Sequence, residues 1–424
     1  MLIYQLKIKD VNNYMLASKL LKNGIWLFIL QVFNTVVPML TLPYITRILE
    51  PSGYGEFSLA LNWVLYFQVI VEYGFGYWGA RKVATDNGST LRKTFNNIIT
   101  ARLMLMIISF VLMTIVFLLS GKGIEHFICM CILFAMVLGV AFQLTWLFQG
   151  MQEMKYITLI NAISRLVSVL LIFFMVKKAT DVNLYAFLYS ATYIISAIMG
   201  LYLAHKRYGL KFGISGIKET IGALTEAWPL FISQAMAKIL SGFGVTVLGM
   251  VAASSAVGIY SAIYKIPYAM ALFFNPISQA IYPNISAEFN KSMENGFRRI
   301  KKIATFVIPI FFIISIITMY FHHQIVQLCF GSAYSSNSMI LIPLCLWFLF
   351  SIINNFLGIQ ILVASGHQKE YSKAFFISAV LAIIMYIIFG QLFNIYGIAI
   401  GTLCAEIALT AILLIMIKRI LGGR

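Results

Sequence analysis

Leu103-Met104-Leu105-Met106-Ile107-Ile108-Ser109-Phe110-Val111-Leu112-Met113-Thr114-Ile115-Val116-Phe117-Leu118-Leu119 settles which solvent this chain folds in. The run carries no charge. With the residues just before it, it forms a segment, 97–119, in which Arg102 is the sole ionisable group. A helix of about 20 apolar residues crosses about 30 Å of hydrocarbon, so the segment reads as a membrane span. Eleven further segments read the same way, at 24–46, 57–79, 126–148, 156–176, 183–204, 226–250, 257–282, 303–321, 339–363, 373–392 and 397–417. The connectors are short, the longest being 205–225 and 283–302, and none has room for a soluble domain.

Composition leads to the same place. Of 424 residues, 61% are hydrophobic and only 11% charged, with a mean hydropathy of +0.90. A soluble domain is nearer a quarter charged, and so little charge cannot build a water-facing surface for a chain of this length. A cytosolic enzyme, a secreted disulfide scaffold and a disordered chain are all excluded. The five cysteines form no CxxC pair, which argues against a metal or disulfide framework, and no cofactor is expected.

Charge sets the orientation. The chain has 31 Lys and Arg against 14 Asp and Glu, a formal +17. In a soluble protein that excess would suggest nucleic acid. In a polytopic protein the positive-inside rule explains it, and no nucleic-acid partner is expected. With twelve spans both termini share one side, and 23 of the basic residues fall there against 4 (Arg47, Lys122, Lys177, Lys178) on the other. Both termini are therefore expected in the cytoplasm.

The second half echoes the first. At an offset of 203, Trp26–Gln31 aligns with Pro229–Gln234 and Ser52–Ser58 with Ser255–Ser261, with 7 identities in the 34 positions from 27 to 60. The match begins at span one of one half and span seven of the other. This predicts two six-helix lobes, 1–204 and 226–424, joined by a cytoplasmic linker, 205–225. Six spans is an even number, so the lobes share one orientation, the parallel-repeat arrangement of some transporters.

Four basic residues remain inside the spans once the loops are assigned: Arg102, Arg165, Lys238 and Lys265. The last three fall near mid-depth and Arg102 lies shallower. Glu72 and Glu406 are the acidic counterparts. Ionisable groups in a span usually face a bundle interior or a wet cavity. A cationic lining suits an anionic head group such as a pyrophosphate. Internal pairing, such as Glu72 with Arg102, and snorkelling of shallow groups are the bland alternatives. Helix breakers recur at comparable places, with Pro38 and Pro43 in span one and Gly242 and Gly244 in span seven, as candidate gating hinges.

No GxxxxGK[ST] loop occurs, and no histidine lies at mid-span. His322-His323 reads as an exposed pair. These features favour moving a substrate over changing it covalently, so no enzyme is expected.

The run Leu42-Pro43-Tyr44-Ile45-Thr46-Arg47-Ile48-Leu49-Glu50-Pro51-Ser52-Gly53-Tyr54-Gly55, followed by Val71-Glu72-Tyr73-Gly74-Phe75-Gly76, resembles the first two spans of bacterial O-antigen and polysaccharide flippases. Trp146-Leu147-Phe148-Gln149-Gly150-Met151-Gln152-Glu153-Met154 and Val257-Gly258-Ile259-Tyr260-Ser261-Ala262 are similar to further signatures of that group. Two departures stand out: Glu50 where members often carry glycine, and Glu72 where aspartate is common. The resemblance implies an all-α membrane fold of the multidrug/oligosaccharidyl-lipid/polysaccharide exporter type, two six-helix lobes around a central cavity in the bacterial inner membrane. It implies translocation of an undecaprenyl-pyrophosphate-linked O-antigen or other surface-polysaccharide repeat unit to the periplasmic leaflet by alternating access. Arg165, Lys238 and Lys265, with Arg102, would then hold the anion, and Glu72 or Glu406 would couple H+ or Na+. Association with glycan polymerase machinery also fits. The rivals are a multidrug or cation antiporter of the same superfold, whose cavity should be net acidic, and a lipid II flippase. A membrane enzyme that polymerises or acylates glycans would need a catalytic constellation not found here.

Overall fold

A computed structural model describes residues 2–85 and 90–422, with side chains from Asn23 onward except Leu27. Lys7, Lys9, Lys19, Lys22 and Arg424, which carry part of the orientation argument, lie outside the described side chains. Regular structure among the described residues is helical throughout. The helices are α1 (Leu2–Glu72), α2 (Phe75–Thr85), α3 (Leu91–Ser120), α4 (Ile124–Ala141), α5 (Thr145–Gly150), α6 (Met154–Met175) and α7 (Val182–Tyr208). They continue with α8 (Ile217–Val251), α9 (Ser254–Lys291), α10 (Met293–Tyr320), α11 (His322–Phe330), α12 (Ser332–Ser335), α13 (Leu341–Asn354) and α14 (Gln368–Gly422).

Ten helical stretches among the described residues are long and apolar enough to cross a membrane. Two of them contain a break with apolar helix of spanning length on either side. In α1 the break is Glu50 (φ 57°, ψ 173°), and in α14 it is Asn394 (φ 49°, ψ −123°). Each broken helix thus supplies two passes, and the count becomes twelve. The repeat explains the first break: at the offset of 203 Glu50 corresponds to Ala253, the extended residue that separates α8 from α9.

Several spans differ from their sequence-read limits. The second runs from Pro51 to Glu72, because Tyr73 (φ 46°) and Gly74 (φ 74°) leave the helix and Phe75–Thr85 forms a separate element. The fourth interrupts at 142–144 before α5. The tenth changes from α13 into a π-helical stretch, Asn355–Val363. Such wide turns commonly occur at functional sites. Pro38, Pro43, Gly242 and Gly244 lie in continuous helix.

Contacts group the chain into two compact units. Unit 1 is Met1–Thr41 with Trp63–Ile239, and unit 2 is Leu42–Asn62 with Leu240–Arg424. In unit 1, α2 and α5 meet closely because Gly79 and Gly150 lack side chains. A Cβ on Gly79 would sit 2.9 Å from the Trp146 ring, and one on Gly150 would sit 2.7 Å from the Ala80 carbonyl oxygen. The flippase-like Trp146–Gly150 run is thus a packing device here. Glu153, at its end, pairs with Arg207 at 2.6 Å and accepts from the Tyr208 hydroxyl.

In unit 2 the second half of α1 crosses α9 backbone to backbone. A Cβ on Gly55 would lie 1.7 Å from the Ser254 carbonyl oxygen, and one on Gly258 would lie 2.0 Å from that of Pro51. Small residues at four-residue spacing permit such an approach between membrane helices. Under the offset of 203, Gly55 maps to Gly258 and Pro51 to Ser254. The contact therefore maps onto itself when the repeats are exchanged. That reciprocity gives the weak sequence repeat a physical counterpart.

Candidate functional site

Unit 1 collects most of the charge found inside the spans. Glu72 is the last residue of α1, where a negative side chain meets the negative end of the helix dipole. The half-buried carboxylate accepts from Gln68 Nε2 at 2.6 Å. It also acts electrostatically on Arg102 of α3 and on Lys238 of α8. One acid thus serves two cations.

Arg102 is 4% exposed, and its Nη1 donates to the Val140 and Gln143 carbonyls at 3.2 and 3.0 Å. Those oxygens lie at the C-terminal end of α4, where orphan carbonyls and the dipole both favour a cation. The contacts of Arg102 are thus those of a helix cap. Its Nε is buried with no partner among the described residues.

Arg165 differs. It lies at the midpoint of α6, a helix of 22 residues, and is half-buried. Among the described residues no hydrogen bond or ion pair engages its guanidinium; it acts on the Tyr193 phenol of α7, as Glu72 does. Lys238, half-buried in the middle of α8, belongs to this same unit. Within unit 1, Glu72 acts on both Arg102 and Lys238, and it shares the Tyr193 phenol with Arg165.

Lys265 and Glu406 belong to unit 2. Lys265 is exposed, with Nζ 5.7 Å from the Tyr268 ring centroid. Glu406 is fixed from several sides. Asn354 Nδ2 donates to its backbone oxygen at 2.9 Å and to Oε1 at 3.0 Å, and Trp347 also bonds to it. Thr410 Oγ1 in turn donates to Asn354 Oδ1 at 2.7 Å. Next to this group the π-helical turn carries Gln360, fully buried, whose Nε2 donates to the Ser278 oxygens at 3.0 and 3.1 Å.

Two of the hinge candidates, Gly242 and Gly244, also take part in packing within unit 2. Asn62 Nδ2 donates to the Gly242 carbonyl at 3.2 Å, and a Cβ on Gly244 would meet Ile398 at 3.2 Å. The passage from unit 1 to unit 2 along α1 falls between Thr41 and Leu42, hence between Pro38 and Pro43. Along α8 it falls between Ile239 and Leu240, just before Gly242 and Gly244. The aromatic and amide residues around Glu406 escaped the sequence reading, which looked for charge. The four-residue spacing of Tyr260, Tyr264 and Tyr268 was the available signal. Among the described residues no three His, Cys, Asp or Glu converge as a metal site.

Twelve apolar passes with ionisable groups inside them define a polytopic membrane protein. Residues 20–289 match the family described as polysaccharide biosynthesis protein. The chain belongs to that family. It is 28% identical over 401 residues to a candidate O-antigen transporter of Escherichia coli strain K12, covering 94% of this chain and 96% of that one. A similarly described protein of Shigella dysenteriae is 26% identical over 94% of this chain and 100% of its own length. The capsular polysaccharide biosynthesis protein CapF of Staphylococcus aureus is 24% identical, covering 83% of this chain and 88% of that one.

Among solved structures, an inward-facing multidrug resistance MATE family transporter of the MOP superfamily superposes with a TM-score of 0.70 at 15% identity, covering 94% of this chain and 98% of its own. The lipid II flippase MurJ in an inward closed conformation gives 0.69 at 15% identity, covering 94% and 87%. The fold is therefore of the exporter type. The Escherichia coli and Shigella dysenteriae relatives are described as O-antigen transporters, and the two solved structures are a multidrug transporter and a lipid II flippase.

Proposed function

We propose that the protein carries an undecaprenyl-pyrophosphate-linked saccharide repeat unit, of O-antigen or another surface polysaccharide, from the cytoplasmic to the periplasmic leaflet of the bacterial inner membrane. The observation that carries this reading is Arg165, a guanidinium at mid-span with no hydrogen bond or ion pair among the described residues. A cation in that position needs water or an anion. A pyrophosphate moving through hydrocarbon needs a cation. Lys238 and Lys265 extend the lining, and the lipid tail stays in the bilayer. Arg102 supports the site by holding the end of α4.

Two six-helix lobes, 1–204 and 226–424 with 205–225 between them, would rock to expose the chamber to either side, both termini remaining cytoplasmic. Bending at Pro38 and Pro43 and at Gly242 and Gly244 would serve that motion, since the two prolines flank the place where α1 passes between contact units and the two glycines follow the corresponding place in α8. Protonation or Na+ binding at Glu72 or Glu406 would reset the cycle. The emerging glycan would pass to polymerase machinery.

The fold alone is equally compatible with a multidrug or cation antiporter and with a lipid II flippase, because both neighbours superpose alike. The charge favours an anionic cargo: in unit 1 the Glu72 carboxylate acts on Arg102 and Lys238, while Arg165 has no ion pair among the described residues. The test is the triple variant Arg165→Ala, Lys238→Ala, Lys265→Ala in a strain lacking the native protein. Lipid-linked oligosaccharide should accumulate unexported and surface glycan should fall by about tenfold or more, the loss of one to two charge-assisted contacts. Arg165→Lys should retain more output than Arg165→Ala. Wild-type glycan output from the triple variant, at normal protein level, overturns the reading.

A further inference from the structure

Tyr260, Tyr264 and Tyr268 stand one helical turn apart along α9 and form a stacked ladder. Adjacent ring centroids are 5.8 and 5.9 Å apart, with planes inclined by only 15° and 29°. Trp347 of α13 flanks the middle ring at 5.2 Å. The ladder begins buried, at Tyr260 (4% exposed), whose hydroxyl meets Thr402 Oγ1 at 3.2 Å, and opens at Tyr268 (41% exposed). The Glu406 carboxylate acts on Tyr264.

The open end does not look like a lipid-facing surface. Lys265, Tyr268, Asn275 and Gln279 are all exposed, and at 100° per residue they fall within an arc of about 80° on α9. Hydrocarbon cannot solvate such a stripe in the middle of a span. A wet chamber can. Rows of aromatic faces edged with hydroxyls, an ammonium and amides suit a ligand that is apolar on its ring faces and polar at its rim. Saccharides are built that way: axial C–H groups on a pyranose face carry partial positive charge and stack on the negative face of an aromatic ring, while the hydroxyls bond at the edge.

We propose that the Tyr260–Tyr264–Tyr268 ladder with Trp347 is the binding surface for the saccharide part of the transported lipid. The inference rests on the reading of the chain as a carrier of lipid-linked glycan.

Two defined probes separate these claims: undecaprenyl pyrophosphate, and undecaprenyl-pyrophosphoryl-N-acetylglucosamine. Each is titrated against the purified full-length protein in lipid nanodiscs. The wild type should bind the sugar-bearing lipid about 3–10-fold more tightly, the span expected for one aromatic stacking contact. Tyr268→Ala, at an exposed position where folding is least at risk, should erase most of that ratio without changing affinity for the bare pyrophosphate lipid. Tyr268→Phe, which keeps the face, should preserve it. Arg165→Ala should weaken both lipids alike. Equal wild-type affinity for the two lipids, or an unchanged ratio in Tyr268→Ala, overturns the ladder and leaves the anion reading standing. Failure of both lipids to bind the wild type overturns the anion reading and the ladder with it.

Discussion

Unit 1 and unit 2 each hold a row of three tyrosines at four-residue spacing, yet the rows pack differently. In unit 1, Tyr185, Tyr189 and Tyr193 of α7 incline to one another by 61° and 47°, with centroids 6.4 and 6.0 Å apart. The row ends at a phenol under the influence of Arg165 and Glu72. In unit 2 the α9 row lies nearly parallel. The same spacing thus yields a support for charge in one unit and an open face in the other. Spacing fixes which side chains are neighbours, but the elements packed around them decide whether the rings turn edge-on or stack. The units also differ in what holds them together. Both use close glycine approach, Gly150 to the Ala80 carbonyl in unit 1 and Gly55 to that of Ser254 in unit 2, and unit 1 in addition ties the buried Arg102 guanidinium to carbonyls.

That contrast can be broken at chosen positions. The largest effect is expected in unit 2, where Gly55→Ala or Gly258→Ala would drive a methyl group into a backbone oxygen. Backbone cannot yield as a side chain can, so the loss should exceed about 3 kcal/mol and show as a collapse of detergent-solubilised protein in thermal melting. Gly222→Ala in α8 of unit 1 is the control. Nothing lies within 4 Å of its Cβ, and melting should hold or rise. A mid-sized effect is expected at Arg102. Its alanine variant deprives Val140 and Gln143 of a donor and should cost about 1–3 kcal/mol, whereas Arg165→Ala should leave the melting temperature unchanged while lowering transport. Equal melting for both arginine variants would erase the distinction between the capping cation and the binding one. The smallest effect is a gain. Glu50→Gly places the one unhindered residue at φ 57°, ψ 173°, and relief of backbone strain should raise stability by about 1 kcal/mol or somewhat more, read in the same melts.

Much of this architecture was legible because lipid imposes a plain rule. Every backbone group must be satisfied within the segment, so apolar length reports a helix directly. The span Asn97–Leu119 reads correctly for that reason, and the break at Glu50 falls in the gap between the spans read at 24–46 and 57–79. The break at Asn394 falls in the gap between the spans read at 373–392 and 397–417, whereas the break at Tyr73 falls inside the span read at 57–79 and has no flanking proline to signal it. The π-helical turn 355–363 is set by packing around Gln360 and Asn354, which pattern cannot reveal. Charge could be listed but not sorted. Arg102 and Arg165 look alike as lone cations in apolar runs. Only the positions of the α4 carbonyls show that one of them is already engaged. Lys238, assigned by sequence to the second lobe, groups with unit 1, because the linker and the first half of α8 pack there. Tyr73 and Phe231 stack at 4.6 Å, and Lys82 pairs with Glu226 at 3.3 Å.

The reciprocal touch of Gly55 and Gly258 also speaks about ancestry. An interface that is unchanged when its two sides trade places is what a single half-length chain would form with its own twin about a two-fold axis. Duplication and fusion of such a half would inherit the contact ready-made. Each glycine would thereafter be held in place by the other, so drift at 55 would be checked by the residue at 258. The two positions should lose their glycines together or keep them together, even where the sequences around them have diverged beyond recognition.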